Sequence, residues 1–169
     1  MISINCDIGE RGADHPVDRE LMKYLDIANL ACGGHAGNVE SVSVFRTLAE
    51  KNLCRVSAHL SYPDRDNFGR ASMALSAPEL QKALDRQYSL LSDVKLVKPH
   101  GALYNDCCVD AAKAGILLDW LLKNRINEII VPINSAIAEM CQEAGIHVIG
   151  EAFAERRYNY EPASGRLTL

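Results

Sequence analysis

The sequence predicts an α/β protein on a mainly parallel sheet, with a distorted β/α barrel as the architecture. Short apolar runs alternate with longer segments whose apolar residues recur at helical spacing, the signature of repeated strand-helix-strand units. Several runs are apolar almost throughout, as strands covered on both faces require. Acidic, basic and imidazole residues also recur at or just after the ends of those runs. In open sheets and barrels alike, ligands meet the carboxyl ends of strands, but a barrel gathers contributions from nearly all of them. Asp7, His35, His59, His100 and Glu151 occupy such positions at or just after the ends of five of the six runs, which favours the barrel over an open doubly wound sheet.

The first predicted strand is Ile2 to Ile8, followed by Ile27 to Cys32, Arg55 to His59, Lys95 to His100, Glu128 to Ile133 and His147 to Phe153. Between them, Asn38 is placed to cap a helix over Val39 to Asn52, where Val42, Phe45, Leu48 and Ala49 share one face. Ser76-Ala-Pro-Glu79 has capping-box form, with Pro78 tolerated in the first turn, and opens a helix to about Ser92. Asp110 to Lys123 and Ser135 to Ala144 complete the series, the last stopping at Gly145.

At 169 residues the chain is expected to form one domain, residues 1–169, with enough length for a real core. Apolar residues make up 48% and charged residues 24%, an ordinary globular composition. A formal net charge of -4 with no basic run argues against nucleic acid or an anionic membrane as partner. No apolar stretch approaches the ~18 residues of a membrane span. The opening MISINCDIGERG carries Asp7 and Glu10 where a signal peptide needs a longer apolar segment, so the expected location is the cytoplasm. The six cysteines show no CxxC spacing and read mainly as small buried hydrophobes; a reactive thiol is conceivable only at the vicinal pair Cys107-Cys108.

The chemistry lies in five stretches. In Asn5-Cys-Asp7-Ile-Gly-Glu10, Asn5 and Asp7 are two apart and share a strand face, so an amide and a carboxylate enter one site together; a hydrogen-bonded turn is the alternative. In Ala31-Cys-Gly-Gly-His-Ala-Gly37, the glycines allow close backbone approach around His35, and Asn38 opens a helix whose N-terminus can receive an anion. No GxxxxGK[ST] is present, so a nucleotide cannot be assigned from a phosphate loop. His59 ends the third run, and Arg70 beyond it serves either as a forked grip on a carboxylate or as the partner of a nearby aspartate.

Lys98-Pro-His100-Gly-Ala-Leu-Tyr104-Asn105 holds the densest set of proton-handling groups. Lys98 and His100 share a face, and a lysine inside a barrel needs an anion or a substrate carbonyl to offset its desolvation. Glu151 after the sixth run is a candidate acid or base, while Glu155, Arg156 and Arg157 beyond it can form an exposed charge network. His15 reads as a surface residue and His147 as a strand-edge one. Asp7, His35, His59 and His100 can also bind a divalent metal if the fold brings them together, since imidazole and carboxylate suit zinc, manganese or related ions. No local HxxxH-type spacing supports that set, and the same groups serve metal-free acid-base catalysis.

Taken in order, NCDIGE, ACGGHAG, AHLSYPDRDNFGR, KPHGALYN and EAFAERRY resemble the LamB/YcsF family, to which the A subunit of 5-oxoprolinase belongs. The resemblance runs from Asn5 to Leu169, with KPHGALYN its most specific piece. It implies a distorted barrel of the glycoside hydrolase/deacetylase type. It also implies ATP-dependent opening of the lactam of 5-oxoproline to L-glutamate, a hydrolase reaction on a cyclic amide carried out with the B and C subunits of 5-oxoprolinase. On that resemblance Asp7, His59, Lys98, His100 and Glu151 are the expected catalytic residues. Asn5, Glu10, His35, Gly37, Arg70, Tyr104, Asn105 and Arg156 are the expected substrate-binding set. ATP is the expected co-substrate, and a divalent metal is an open addition.

The chain also departs from the family pattern. Gly34 stands where family members carry an aromatic, Leu60 where proline is usual, and Glu155 where the family has aspartate. Against the family pattern the C-terminal closing elements are expected to be missing, and a closed barrel usually takes ~200 residues or more. The expectation is therefore an incomplete barrel of about six strands whose open edges are covered by a homo-oligomer or a hetero-partner. Two other readings stay open: a metal-dependent deacetylase or amidohydrolase, and a truncated non-catalytic binding subunit.

Overall fold

The computed structural model describes residues 2–154, 156, 159–161 and 166–168. Six parallel strands, β1 (Asn5–Ile8), β2 (Ile27–Ala31), β3 (Arg55–Leu60), β4 (Leu96–Pro99), β5 (Glu128–Val131) and β6 (His147–Gly150), lie side by side in chain order. That order decides between the two predicted architectures. A doubly wound sheet reverses direction at a switch point, whereas a barrel adds each strand beside the last. The result is a half-barrel, an incomplete α/β barrel whose outer strands are β1 and β6.

All six predicted strands are present; five are trimmed by one to three residues to where backbone pairing stops, and β3 runs one residue further, to Leu60. The helices α2 (Val39–Lys51), α3 (Ala77–Tyr88), α5 (Ala111–Lys123) and α6 (Ala136–Glu143) match the predicted four within a turn. Two short helices, α1 (Pro16–Leu21) and α4 (Gly101–Val109), were not foreseen. In α4 the buried residues Ala102, Leu103, Tyr104 and Cys107 do not mark a clean helical stripe, and no side chain caps its start. Gly101 still makes the predicted sharp turn at φ +57°, where an added Cβ would lie 2.5 Å from the Gly69 carbonyl oxygen. A two-stranded antiparallel ladder, β7 (Asn159–Glu161) with β8 (Arg166–Thr168), follows. Glu155 and Arg157, read as part of a charge network, lie outside the described residues.

Strand alternation sorts the sheet into two faces. Ile8, Ala28, Leu30, Ala58, Leu60, Val97, Ile129 and Val131 pack under the helices in the main core. Its largest member, Trp120, is fully buried and donates its indole N–H to Asp85 Oδ1 at 2.7 Å, so the ring packs without stranding a donor. On the other face Ile27, Leu96 and Ile130 form a small apolar cluster. Toward the carboxyl ends that same face is polar, with Asp7 on β1, Asn29 on β2, Ser57 and His59 on β3 and Lys98 on β4, while Asn5 stands at the start of β1 opposite Ile27. The site is thus the upper half of one sheet face.

Candidate active site

The registers set the first row of contacts. Asp7 stands opposite Asn29, which stands opposite Ser57. Ser57 Oγ donates to Asn29 Oδ1 at 2.6 Å, which orients the amide so that Nδ2 donates to Asn5 Oδ1 at 2.7 Å and Asp7 Oδ1 at 3.0 Å. Asn29 and Ser57 are fully buried and were not singled out in the sequence. Their signal was a polar residue in the middle of an otherwise apolar run, which a strand buried on both faces tolerates only with partners.

Lys98 is the hub. It is 4% exposed, and its ammonium lies 2.9 Å from Asp7 Oδ1 and 2.9 Å from Glu151 Oε1. The carboxylate needed to hold a buried lysine is present twice, once from each outer flank of the sheet. Burial works to lower the Lys98 pKa, but the two carboxylates outweigh it and raise it above the ordinary value. Burial likewise pushes Asp7 up, and His59 and Lys98 beside it more than reverse that, holding it well below the usual carboxylate range. Glu151 Oε2 is buried with no hydrogen-bond partner among the described residues.

Three imidazoles and a fourth acid converge beside this pair. His35 and His100 stack with ring centroids 3.6 Å apart, and His59 meets both edge-on. His59 Nδ1 lies 3.1 Å from the Lys98 carbonyl oxygen, and His100 Nε2 lies 3.0 Å from that of Phe68. His59 Nε2 sits 3.2 Å from Asp7 Oδ2 and 3.0 Å from His100 Nδ1. Glu10, from the loop after β1, places Oε1 2.9 Å from His35 Nε2. Burial lowers the pKa of His35 against the opposing hydrogen bond from Glu10; burial and the neighbouring His59 and His35 bring His100 down to about 4. The four mutually close metal-donor atoms belong to Glu10, His35, His59 and His100. Glu10 thus stands in this group where the sequence offered Asp7; one Asp7 oxygen is held by Lys98 and Asn29, and the other lies 3.2 Å from His59 Nε2.

An open cleft of about 390 Å³ lies over these groups, within the ~300–1,000 Å³ usual for small-molecule sites. Asp7, His59, Lys98 and His100 line it, together with the predicted Arg70, Tyr104, Asn105 and Arg156. The Arg70 guanidinium lies 5.4 Å from the centroid of Phe68, and that of Arg156 lies 4.0 Å from Phe153. Among the described residues no aspartate forms an ion pair with Arg70, and its side chain lines the cleft. A second cavity of about 490 Å³ shares Asp7 and Lys98 and opens between β1 and the segment after β6.

Some expected residues stand elsewhere. Gly37 has φ +77°, and a Cβ there would fall 2.1 Å from the Ala31 carbonyl oxygen, so its smallness serves the turn rather than a ligand. The N-terminus of α2, offered for an anion, is occupied by its own capping box: Asn38 Oδ1 accepts from Ser41 N–H and Ser41 Oγ from Asn38 N–H, both at 2.9 Å. His15 is half-buried rather than on the surface, 3.3 Å from the buried Asp18 carboxylate that also accepts from Gly9 N–H and so anchors the Glu10 loop. Gly34 has a local reason: a Cβ there would strike the Gln87 side chain at 2.2 Å, and Gln87 brackets the Ser61 backbone with two hydrogen bonds. All six cysteines are free, and burial pushes Cys107 up to about 12 and Cys108 up to about 11, so neither is an activated thiol.

Comparison with known proteins places this geometry. The LamB/YcsF family model matches residues 2–168. The A subunit of 5-oxoprolinase from Haemophilus influenzae strain PittEE is 36% identical over 166 residues, which is 93% of this chain and 66% of that protein. Proteins of the same description from Acinetobacter baylyi and Pyrococcus abyssi are 38% and 36% identical, each over 94% of this chain and 66% of their own length. The chain thus spans just under two thirds of these curated relatives. The crystal structure of a lactam utilization protein from Thermus thermophilus superposes with a TM-score of 0.83 at 32% identity, covering 99% of this chain and 71% of that one.

Proposed function

The chain belongs to the LamB/YcsF family, and on that premise we propose that it is the A-type component of an ATP-dependent 5-oxoprolinase, opening the lactam of 5-oxoproline to L-glutamate. ATP is the co-substrate, and the partners are the B and C subunits of 5-oxoprolinase. The outer strands β1 and β6 are the edges that a partner or a second copy covers. The free thiols suit the reducing cytoplasm as its setting. Among the described residues no helix is long and apolar enough to cross a membrane.

The observation that carries this reading is the buried Lys98 ammonium, bound to Asp7 and Glu151 beside three imidazoles at one end of the sheet. A lactam carbonyl is stabilised by amide resonance, so it must be activated before water attacks. Phosphorylation of the amide oxygen by ATP supplies that activation, and Lys98 is placed to balance the negative charge there. Water then adds to the carbon. Glu151, with Oε2 open to a new partner, accepts the proton; Asp7 serves to orient Lys98 and His59. The C–N bond breaks, and the departing nitrogen takes up the proton that Glu151 accepted from the water. A second water releases phosphate from the resulting acyl phosphate, leaving glutamate. Arg70 and Arg156 on the cleft wall suit the substrate carboxylate.

Reconstitution with the B and C subunits tests this. ATP-coupled glutamate release is expected from wild type, falling by at least about 100-fold in Lys98→Ala and His100→Ala. Undiminished turnover in both variants, or none in the reconstituted wild type, refutes the assignment.

A further inference from the structure

We propose that Glu10, His35, His59 and His100 form a binding site for one divalent transition cation of the zinc class. Their four donor atoms all lie within 4.8 Å of one another. Glu10 Oε1 is 2.9 Å from His35 Nε2, 3.8 Å from His59 Nε2 and 3.7 Å from His100 Nδ1, and the last two nitrogens are 3.0 Å apart. A tetrahedral zinc with bonds of about 2.0–2.1 Å needs donors roughly 3.4 Å from each other, and these separations bracket that value.

Tautomer chemistry supplies the independent reason. A carbonyl oxygen only accepts, so the ring nitrogen facing it carries the proton. His59 therefore donates from Nδ1 to the Lys98 carbonyl, and His100 donates from Nε2 to the Phe68 carbonyl. With uncharged rings, both remaining nitrogens, His59 Nε2 and His100 Nδ1, present lone pairs to each other at 3.0 Å, with Asp7 Oδ2 3.2 Å from the first and the Glu10 carboxylate facing both. Two neutral imidazoles and an anion repel in that arrangement; a cation among them turns every contact favourable. The carbonyl partners are also the outer hydrogen bonds that ligating histidines use to fix ring orientation. Three imidazoles and one carboxylate select a borderline transition ion over magnesium or calcium, which prefer oxygen.

When bound, the cation supplies a Lewis acid beside the cleft. The inference stands on this convergence and is independent of the lactam reading, since it concerns the isolated chain and needs no turnover.

Equilibrium dialysis of metal-stripped wild type against Zn²⁺, with Co²⁺ visible absorption as the report on nitrogen ligation, gives the test. One equivalent per chain is expected, together with a tetrahedral Co²⁺ spectrum and a rise in melting temperature with added metal. His100→Ala is expected to weaken binding by more than about 100-fold, and the near-isosteric Glu10→Gln by about 10-fold or more. Circular dichroism confirms that each variant is folded. Absence of a bound equivalent in folded wild type overturns the proposal: a proton alone then bridges His59 and His100, visible as a histidine imidazolium by NMR. Binding that survives both substitutions unchanged overturns it equally.

Discussion

Replacing Lys98 with methionine removes a charge but nearly preserves volume, which isolates the electrostatic role of the hub. The ammonium lies 2.9 Å from a carboxylate on each side and is 4% exposed. Taking one partner out of a buried ion pair costs about 3–5 kcal/mol, because the remaining charge is left uncompensated. Asp7 keeps His59 and Asn29, whereas Glu151 loses its ion-pair partner, so the whole of that range applies. For a chain of this size each kcal/mol moves the melting temperature by about 2–4 °C, giving a fall of roughly 6–20 °C. The pH dependence follows from the two shifts. Lys98 has a raised folded pKa, so its contribution is full below the ordinary lysine value and is lost only as pH rises through the folded one. Asp7 has a depressed folded pKa, so its contribution is full above the ordinary aspartate value and is lost as pH falls toward the folded one. The gap between wild type and Lys98→Met is therefore flat between about pH 5 and pH 9 and narrows outside that window. Thermal melts followed by circular dichroism measure it. Adding Glu151→Gln to the variant is expected to recover part of the loss by removing the stranded charge. A single variant melting within about 2 °C of wild type, or a gap that varies steeply inside the window, refutes the hub.

Three further outcomes are expected. Asn29→Ala strands Ser57 Oγ and loosens Asp7, costing about 1–3 kcal/mol in a denaturant melt; no loss would mean that the row across β1, β2 and β3 is decorative. Gly37→Ala, which drives a Cβ to 2.1 Å from the Ala31 oxygen, is expected to destabilise far more than Gly145→Ala, where nothing lies within 4 Å and only the αL penalty of about 1–2 kcal/mol applies; equal melting temperatures would contradict the contact. Gly34→Phe is expected to lower stability by displacing Gln87, and the double change with Gln87→Ala to restore part of it; purely additive effects would show that the two positions do not share space.

The strands were legible because a buried parallel strand announces itself as a run of apolar residues between turn signals, and all six appeared within a few residues of their predicted bounds. Helices with caps and stripes were equally plain. By contrast, α4 begins on a glycine with positive φ and lacks a regular stripe, so local rules favoured a turn. In the site, the spacing of two between Asn5 and Asp7 and between Lys98 and His100 correctly put each pair on one face. Spacing says nothing about reach across the sheet, however. That Lys98 binds Glu151, and that Glu10 rather than Asp7 joins the histidines, depends on strand order and on a loop anchored by Asp18. Asn29 and Ser57 went unnoticed because a single polar residue in an apolar run looks like noise until its neighbours in the sheet are known.

Laying the strands down in chain order has a dynamic corollary. β3 and β4 are bonded along both flanks, while β1 and β6 are each held along one. Amide protons therefore persist longest at the middle of the sheet and are lost first from its two margins. Lys98 rides on the slow centre, and its two carboxylates sit at the quick margins.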